Sequence, residues 1–406
     1  MAEKIKILHI NISDGIGGAA IAAYRLHFLM NQDKRFDSKM LVLIKKTDKD
    51  LIFHLNNFSK LYAKIPNLLN NLIGKWKKTY GSFSLALSGN NISKNKLVQQ
   101  TDIIYIHWVN SGMMSWRNIN QLFKLNKPIF LFCHDMWYFT GGCHVSGECT
   151  NYETNCDACL FFEKKIIQRH IKHQYFAKKH SYNQHANVDI ILPSYDYFTK
   201  ARTSNIIDLS RIHFIPNILD INKFVPKEDE RKNSKIHILY GALGGKTNPY
   251  KGWDDFLYMA IEISNIYKDK IEFAIFGYNH SPEEINEIPF KFIDYGVITE
   301  ERKIIEIYQN ADVFIFPSHQ ESFGQTLVEA MSCGVVPISY KVGIAEYLIE
   351  NEKNGYLNDL GDKNGLVTSF HKVMKSDILS LKKNARQIIH DKLSIQLLLD
   401  MHNRLL

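Results

Sequence analysis

Short apolar, β-branched runs alternate along the whole chain with stretches whose apolar residues recur at helical spacing. In the first half the runs 5–12, 40–44, 103–107, 129–133, 188–192 and 212–215 predict strands, with helical patterns such as 19–30 and 162–180 between them. In the second half strands are predicted over 236–240, 272–276, 292–295, 313–316 and 335–338. Strand followed by helix, repeated in this way, predicts parallel sheets covered on both faces.

One segment breaks the alternation. Over 59–80, Leu61, Tyr62, Ile65, Leu68, Leu69, Leu72, Ile73 and Trp76 recur at helical spacing among Lys60, Lys64, Lys75, Lys77 and Lys78. A basic, aromatic-containing amphipathic helix can lie in a membrane interface. The plainer expectation is a core-facing helix with solvated lysines, disrupted at its start by Pro66.

At 406 residues the chain is too long for a single core, so two domains are expected. The polar stretch 217–235, with its charged run 227–234, reads as a linker. It separates a domain of 1–216 from one of 236–406, each the size of one doubly wound α/β domain. The last helix is expected to pack back on the N-terminal domain, which carries a Cys-rich insert at 136–160.

Composition changes this picture little: 45% hydrophobic and 23% charged residues describe an ordinary globular chain. No run approaches the roughly 20 apolar residues of a membrane span. The start of the chain reads as a charged strand without the apolar core of a signal peptide, which predicts a cytoplasmic protein. The net charge of +8 suits an anionic surface. No recognition helix, zinc finger or RNP-like pattern accompanies it, so nucleic acid is not the expected partner. A membrane surface or an anionic lipid-linked acceptor fits better.

The candidate chemistry lies in 312–339, which reads strand, loop, helix, strand. Glu321 and Gly324 stand in the loop, Glu329 about two turns along the helix, and Gly334 at its stop. Ligands bind beyond the carboxyl ends of parallel strands, and a helix N-terminus there favours a phosphate. Gly324 lets a ligand approach the backbone, and two carboxylates so placed suit sugar hydroxyls. For an isolated pair of glutamates, a solvated loop residue and an ordinary helix charge would be the default.

This segment resembles the Glu-x7-Glu signature of the family-4 (group 1) retaining glycosyltransferases. The resemblance extends over nearly the whole chain: Gly17-Gly18-Ala19 after the first strand, His134-Asp135 after a later one, Ile215-Pro216-Asn217 with Phe224 and Pro226, Lys251-Gly252, then Val342-Gly343 with Glu346 and Asn354-Gly355. It implies the GT-B fold, two Rossmann-like doubly wound parallel-sheet domains facing across a cleft, with acceptor bound by the first and donor by the second. It implies that Glu321 contacts the transferred sugar, Glu329 the nucleotide ribose, and the amides around Phe323 and Gly324 the sugar or phosphate. Lys251 would stabilise the departing diphosphate and His134 would face the donor sugar, with Gly17 and Gly18 lining the donor site. An ordinary strand-end histidine is the competing reading of His134. The family's arginine before that lysine is missing, and Lys246 is the candidate stand-in, although lysine is a point charge rather than a fork. The implied reaction moves a sugar from a nucleoside-diphosphate-sugar to a glycan or lipid-linked glycan with retention, and needs no metal. No Asp-x-Asp triplet of the kind metal-dependent transferases use is evident.

Cys143, Cys149, Cys156 and Cys159 follow His134. Four cytoplasmic thiols ending in Cys-x2-Cys can form a closed structural zinc site, with His144 as a possible substitute ligand. The alternative is a loop of free or paired cysteines. The insert is similar to one in a subset of bacterial capsule, O-antigen and exopolysaccharide transferases.

Three rivals remain at this level. Gly15-Ile16-Gly17-Gly18-Ala19-Ala20 satisfies a dinucleotide fingerprint, but Lys45-Lys46 stand where a ribose-binding acid belongs. A GT-B sugar-nucleotide epimerase and a catalytically silent sugar-nucleotide-binding protein share the remaining features.

Overall fold

A computed structural model describes residues 3–15, 17–77, 81–227 and 235–406. The chain divides into two compact units: Met1–Ile218 with Leu399–Leu406, and Leu219–Leu398.

The first unit holds strands β1 (Ile5–Ser13), β2 (Phe36–Ile44), β3 (Ile52–His54), β4 (Ile103–Ile106), β5 (Ile129–Phe132), β6 (Val188–Leu192) and β7 (Ile212–Phe214). They form one parallel sheet in the order β3-β2-β1-β4-β5-β6-β7. Every residue of β4 and β5 is buried, which is why these runs are continuously apolar rather than alternating.

The second unit holds β8 (Ile236–Gly241), β9 (Ile271–Phe276), β10 (Phe292–Asp294), β11 (Val313–Phe316), β12 (Val336–Tyr340) and β13 (Tyr356–Asn358). Its parallel order is β10-β9-β8-β11-β12-β13. Strand order reverses between β1 and β4 in one unit and between β8 and β11 in the other. Ligand crevices form at such switch points.

The edge strands β3 and β13, three residues each, escape the sequence pattern because they are too short to show a period. Of the stretch read as linker, residues 228–234 lie outside the described residues. The part before them is anchored: Leu219, Ile221 and Phe224 are buried, and the Arg386 guanidinium donates to the carbonyls of Phe224 and Ile221 at 2.8 and 3.0 Å. The helix Ile395–Asn403 carries the chain into the first unit, where Asp400 pairs with Arg35 at 2.9 Å.

The segment 59–80 departs from the plainer expectation. Pro66 does not disrupt the helix, which runs unbroken over Asn57–Gly74, with the Asn56 side chain capping the Ser59 amide at 2.9 Å. Only a narrow side of the helix meets the core, through Ala63, Pro66 and Ile73, while Phe58, Leu61, Ile65 and Leu68 are 75%, 61%, 63% and 60% exposed. Lys78 and Tyr80 lie outside the described residues.

The first sheet also buries imidazoles. His9, His27, His107 and His402 are all nearly inaccessible, and Tyr105 OH lies 3.1 Å from His402 Nδ1. Burial pushes His27 and His134 down to about 4 and His402 to about 3, and it holds His9 and His107 well below the ordinary range. A base whose folded pKa is depressed gives stability that is fully present above its unfolded value and is lost as pH falls through the folded one. For His27 the difference amounts to roughly 3 kcal/mol. Unfolding of the first unit should therefore take up several protons, and its thermal midpoint should fall steeply between about pH 6.5 and pH 4. Calorimetry across that range checks this; a flat midpoint would mean these rings are already protonated in the fold.

Candidate functional site

The carboxyl ends of β8 and β11 meet at the switch point of the second unit, and each feeds one half of the site. After β8 the chain makes two short turns, Gly245–Thr247 and Pro249–Lys251, and enters the helix Trp253–Tyr267 through Gly252. Gly252 has φ 65°, and an added Cβ would lie 1.8 Å from the Pro317 carbonyl oxygen. Only glycine permits this approach. It presses the Lys-Gly turn against the end of β11, where His319 N–H donates to the Tyr250 carbonyl at 2.8 Å. Tyr240 OH donates to the Lys251 carbonyl at 3.1 Å.

From this turn Lys251 Nζ reaches Glu321 Oε1 at 2.6 Å, and Ser318 Oγ donates to the same oxygen at 2.9 Å. Both charged side chains are largely shielded, so the pair is stronger than a surface bridge. Phe323 is buried beside them, and its carbonyl accepts from Ile344 N–H at 2.8 Å. Gly343 allows that contact, since a Cβ there would lie 2.5 Å from the Phe323 oxygen. Gly324, at φ 98°, opens the helix Gln325–Ser332 with no side-chain cap, leaving its first amides available. Glu329 lies on that helix at 5% exposure and accepts from Tyr308 OH at 3.2 Å and from Gln325 Nε2 at 2.9 Å.

Lys251, Glu321, Phe323, Gly324 and Glu329 thus share one corner. Lys246 has a different attachment, an ion pair with Glu284 at 2.6 Å that raises its pKa. Sequence reasoning missed Asp255, which is buried and accepts from His319 Nε2 at 2.7 Å, Tyr340 OH at 2.9 Å and Lys363 at 3.0 Å. Burial works against its charge, but these donors win and hold its pKa low. Its signal was an acidic first turn straight after Lys-Gly.

In the first unit, Gly17 and Gly18 open the helix Gly18–Gln32, with nothing within 4 Å of either added Cβ. Ile16 lies outside the described residues. Asp14 secures this loop by accepting from the amides of Lys46 and Thr47 at 2.7 and 3.0 Å. His134 follows β5, and its Nε2 lies 2.9 Å from His107 Nδ1. Asp135 accepts from Trp108 Nε1 at 2.8 Å and bonds His144, whose other nitrogen meets Ser84 Oγ at 2.8 Å. Both nitrogens of His144 are thereby engaged, and it is not a spare ligand.

Cys143, Cys149, Cys156 and Cys159 are all free thiols lining one small cavity of about 10 Å³. Gly141 N–H donates to Cys156 Sγ at 3.1 Å, and the amides of Phe161 and Phe162 act on Cys159. Among the described residues no three His, Cys, Asp or Glu side chains already stand as a metal-holding group. Asp48-Lys49-Asp50 is an Asp-x-Asp in letters, but it sits exposed in the turn between β2 and β3.

Comparison with known proteins finds relatives of the second unit and of the whole fold. The family model described as "Glycosyl transferases group 1" matches residues 220–390. Alpha-galactosylglucosyldiacylglycerol synthase of Streptococcus pneumoniae is 28% identical over 187 residues, 43% of this chain and 46% of that protein. The galactosyltransferase of Escherichia coli named for UDP-Gal and GlcNAc-diphosphoundecaprenol is 26% identical over 201 residues, 45% and 50% of the two chains. The chain thus spans half or less of these relatives. The putative colanic acid glycosyl transferase WcaC of Escherichia coli is 22% identical over 355 residues, 82% and 83%. The crystal structure of Anabaena HepE in complex with UDP and glucose superposes with TM-score 0.63 at 15% identity, covering 98% of each chain. TarM superposes at 0.65 and 13%, covering 99% and 98%. These likenesses show the fold as GT-B. Within the second unit, residues 220–390 match the group 1 glycosyl transferase family.

Proposed function

We propose that this chain is a retaining glycosyltransferase that moves a sugar from a nucleoside-diphosphate-sugar to a glycan or lipid-linked glycan in bacterial capsule, O-antigen or exopolysaccharide assembly. The single observation carrying the reading is the Lys251–Glu321 pair at 2.6 Å, set beside an uncapped helix start at a switch point. Without donor the two charges neutralise each other. A bound diphosphate would take the ammonium, and sugar hydroxyls would take the carboxylate, so donor binding exchanges one pairing for two. Lys251 then faces the charge that develops on the leaving phosphate, with the amides after Gly324 adding to it. Glu321 orients the sugar, Glu329 takes the ribose in exchange for its Gln325 contact, and His134 serves the sugar hydroxyl or phosphate. The leaving phosphate accepts the acceptor's proton on the same face, which requires no protein nucleophile. The names of the relatives, all transferases or synthases, favour this over an epimerase or a silent binding protein.

The Asn57–Gly74 helix supports contact with the inner face of the cell membrane by a cytoplasmic protein. No helix among the described residues is long and apolar enough to cross a bilayer. This one has its apolar side open, and no Asp or Glu occurs between Asp50 and Asp102. Lys77 bridges to Phe162 in antiparallel pairing, and Lys164 Nζ lies 3.3 Å over the Trp76 ring. The exposed patch therefore continues onto Leu160 and Ile166. Apolar side chains ringed by lysine match an anionic lipid surface. The four thiols on one cavity support a structural zinc in the insert. Metal uptake there requires the thiols to turn inward and lose their protons, because burial holds Cys143 and Cys156 neutral.

Replacing Glu321→Ala should lower kcat by roughly 10²-fold while changing donor KM far less. Wild-type turnover in that variant would remove the sugar contact. Glu329→Ala should weaken nucleoside diphosphate binding about tenfold or more by calorimetry. The unfolding midpoint of the variant controls for the stranded Tyr308 and Gln325, and unchanged affinity denies Glu329 the ribose. In flotation with phosphatidylglycerol-containing vesicles the protein should rise with the lipid, and the double variant Leu61→Glu/Leu68→Glu should not; equal flotation of both would deny the helix this role. Protein purified without chelator should carry about one zinc per chain by elemental analysis, and a ratio near zero rejects the metal.

A further inference from the structure

Three histidines on neighbouring strands stand in single file. His134 Nε2 lies 2.9 Å from His107 Nδ1, and His107 Nε2 lies 2.9 Å from His9 Nδ1. The ring centroids lie 5.1 and 5.2 Å apart with interplanar angles of only 22° and 23°, so the rings lie edge to edge in nearly one plane, as N–H···N bonds require. The parallel register that sets His9 opposite Tyr105 makes this possible, because it carries β4 one pleat further to His107 on the same face.

A hydrogen bond between two imidazole nitrogens holds one proton. A neutral ring in the middle of the file must donate at one nitrogen and accept at the other. The two bonds are therefore tied in direction, and only two arrangements exist. In one, each proton points outward: His9 donates to His107, His107 donates to His134 Nε2, and His134 carries its own proton on Nδ1. In the other, each points inward, His134 Nδ1 is bare, and His9 must carry a proton on Nε2.

The inner end decides between them. His9 Nε2 is buried with no hydrogen-bond partner among the described residues. A buried N–H left without an acceptor is the rarer and costlier orphan. The outward arrangement leaves only a lone pair at that position. We propose that His107, backed by His9 at the inner end of the file, is a positioning residue that fixes His134 as the neutral Nδ1–H tautomer, a hydrogen-bond donor at the carboxyl end of β5.

Several groups bear on the file. Asp135, next in sequence to His134, favours a charged ring, whereas burial opposes it and prevails. His27 on the following helix and His402 on the last helix disfavour charge on His9 and His107. Tyr105 stacks on His9 and bonds His402. His134 Nδ1 makes no hydrogen bond among the described residues and is not among the sealed, unpartnered atoms, so it is open to a ligand oxygen. Such a histidine donates to a hydroxyl or phosphate oxygen and cannot serve as a base at Nδ1 unless all three rings reverse.

The test is nitrogen NMR on full-length protein labelled at histidine, with His134 assigned by the signal lost in His134→Gln. Wild type should show His134 protonated at Nδ1 and bare at Nε2, unchanged between about pH 8 and pH 5.5. A proton on Nε2 instead overturns the proposal, and this spectrum needs no sugar nucleotide to bind. His107→Phe keeps a planar ring in place but removes both bonds, and should give mixed tautomers of His134 that titrate in the same range. His9→Phe leaves the His107–His134 bond in place and makes His107 Nε2 the buried inner end without an acceptor, so the single Nδ1–H form should persist, and a mixture of tautomers there overturns the argument from the inner end. Retention of the single Nδ1–H form in folded His107→Phe removes the positioning role of His107.

Discussion

The second unit is built around one approach that no residue but glycine tolerates. At Gly252 the backbone comes so near the Pro317 carbonyl that a methyl group could not be accommodated without parting the two loops. Because the contact is backbone on backbone, it fixes where the helix Trp253–Tyr267 starts, and with it the position of the lysine just before. Tyr240 and His319 tie the same turn from the strand below and the loop beside it. A second glycine, Gly343, does the equivalent service for the carbonyl of Phe323. The charged pair therefore rests on loop geometry set by two missing Cβ atoms, and not on the strength of its own attraction.

That distinction matters for how the site can work. An ammonium and a carboxylate that held their own loops together would resist separation by a ligand. Here the loops are held by other means, so the pair can part at the cost of one partly shielded ion pair, which the diphosphate of the proposed donor would offset. Asp255 reinforces the scaffold: a buried carboxylate with three donors cannot move without stranding them, and it fixes His319 and Tyr340 on the loop and strand that flank Glu321.

Strands buried on both faces announce themselves as apolar runs, so all eleven predicted strands lie within a residue or two of observed ones apart from an earlier start to β2. The Lys-Gly and Glu-x7-Glu elements were picked out by their resemblance to a family signature, and the close approach at Gly252 gives one of those glycines a geometric reason. Other features depended on contacts between distant segments. The periodicity of Asn57–Gly74 is the same whether its apolar side meets a core or a lipid surface, and only three-dimensional neighbours tell which. Lys246 looked free to replace an arginine because its partner, Glu284, comes from another helix. A single histidine in a strand has no spacing signal at all. His9 and His107 become neighbours only through the pairing of β1 with β4, which sequence reasoning leaves unassigned.

Two ways of burying polarity stand near the candidate residues of the two units. The second unit keeps full charges and pairs them, as Lys251 with Glu321 and Asp255 with Lys363. The first keeps imidazoles neutral and hydrogen-bonded to one another. A fixed cation suits charge that grows on a leaving phosphate, whereas a neutral ring donates to an oxygen without adding charge. Protonating the histidine file would replace that neutral donor with a cation and would at the same time loosen the core that positions it. Depressed imidazole pKa values thus preserve the neutral donor as well as the fold.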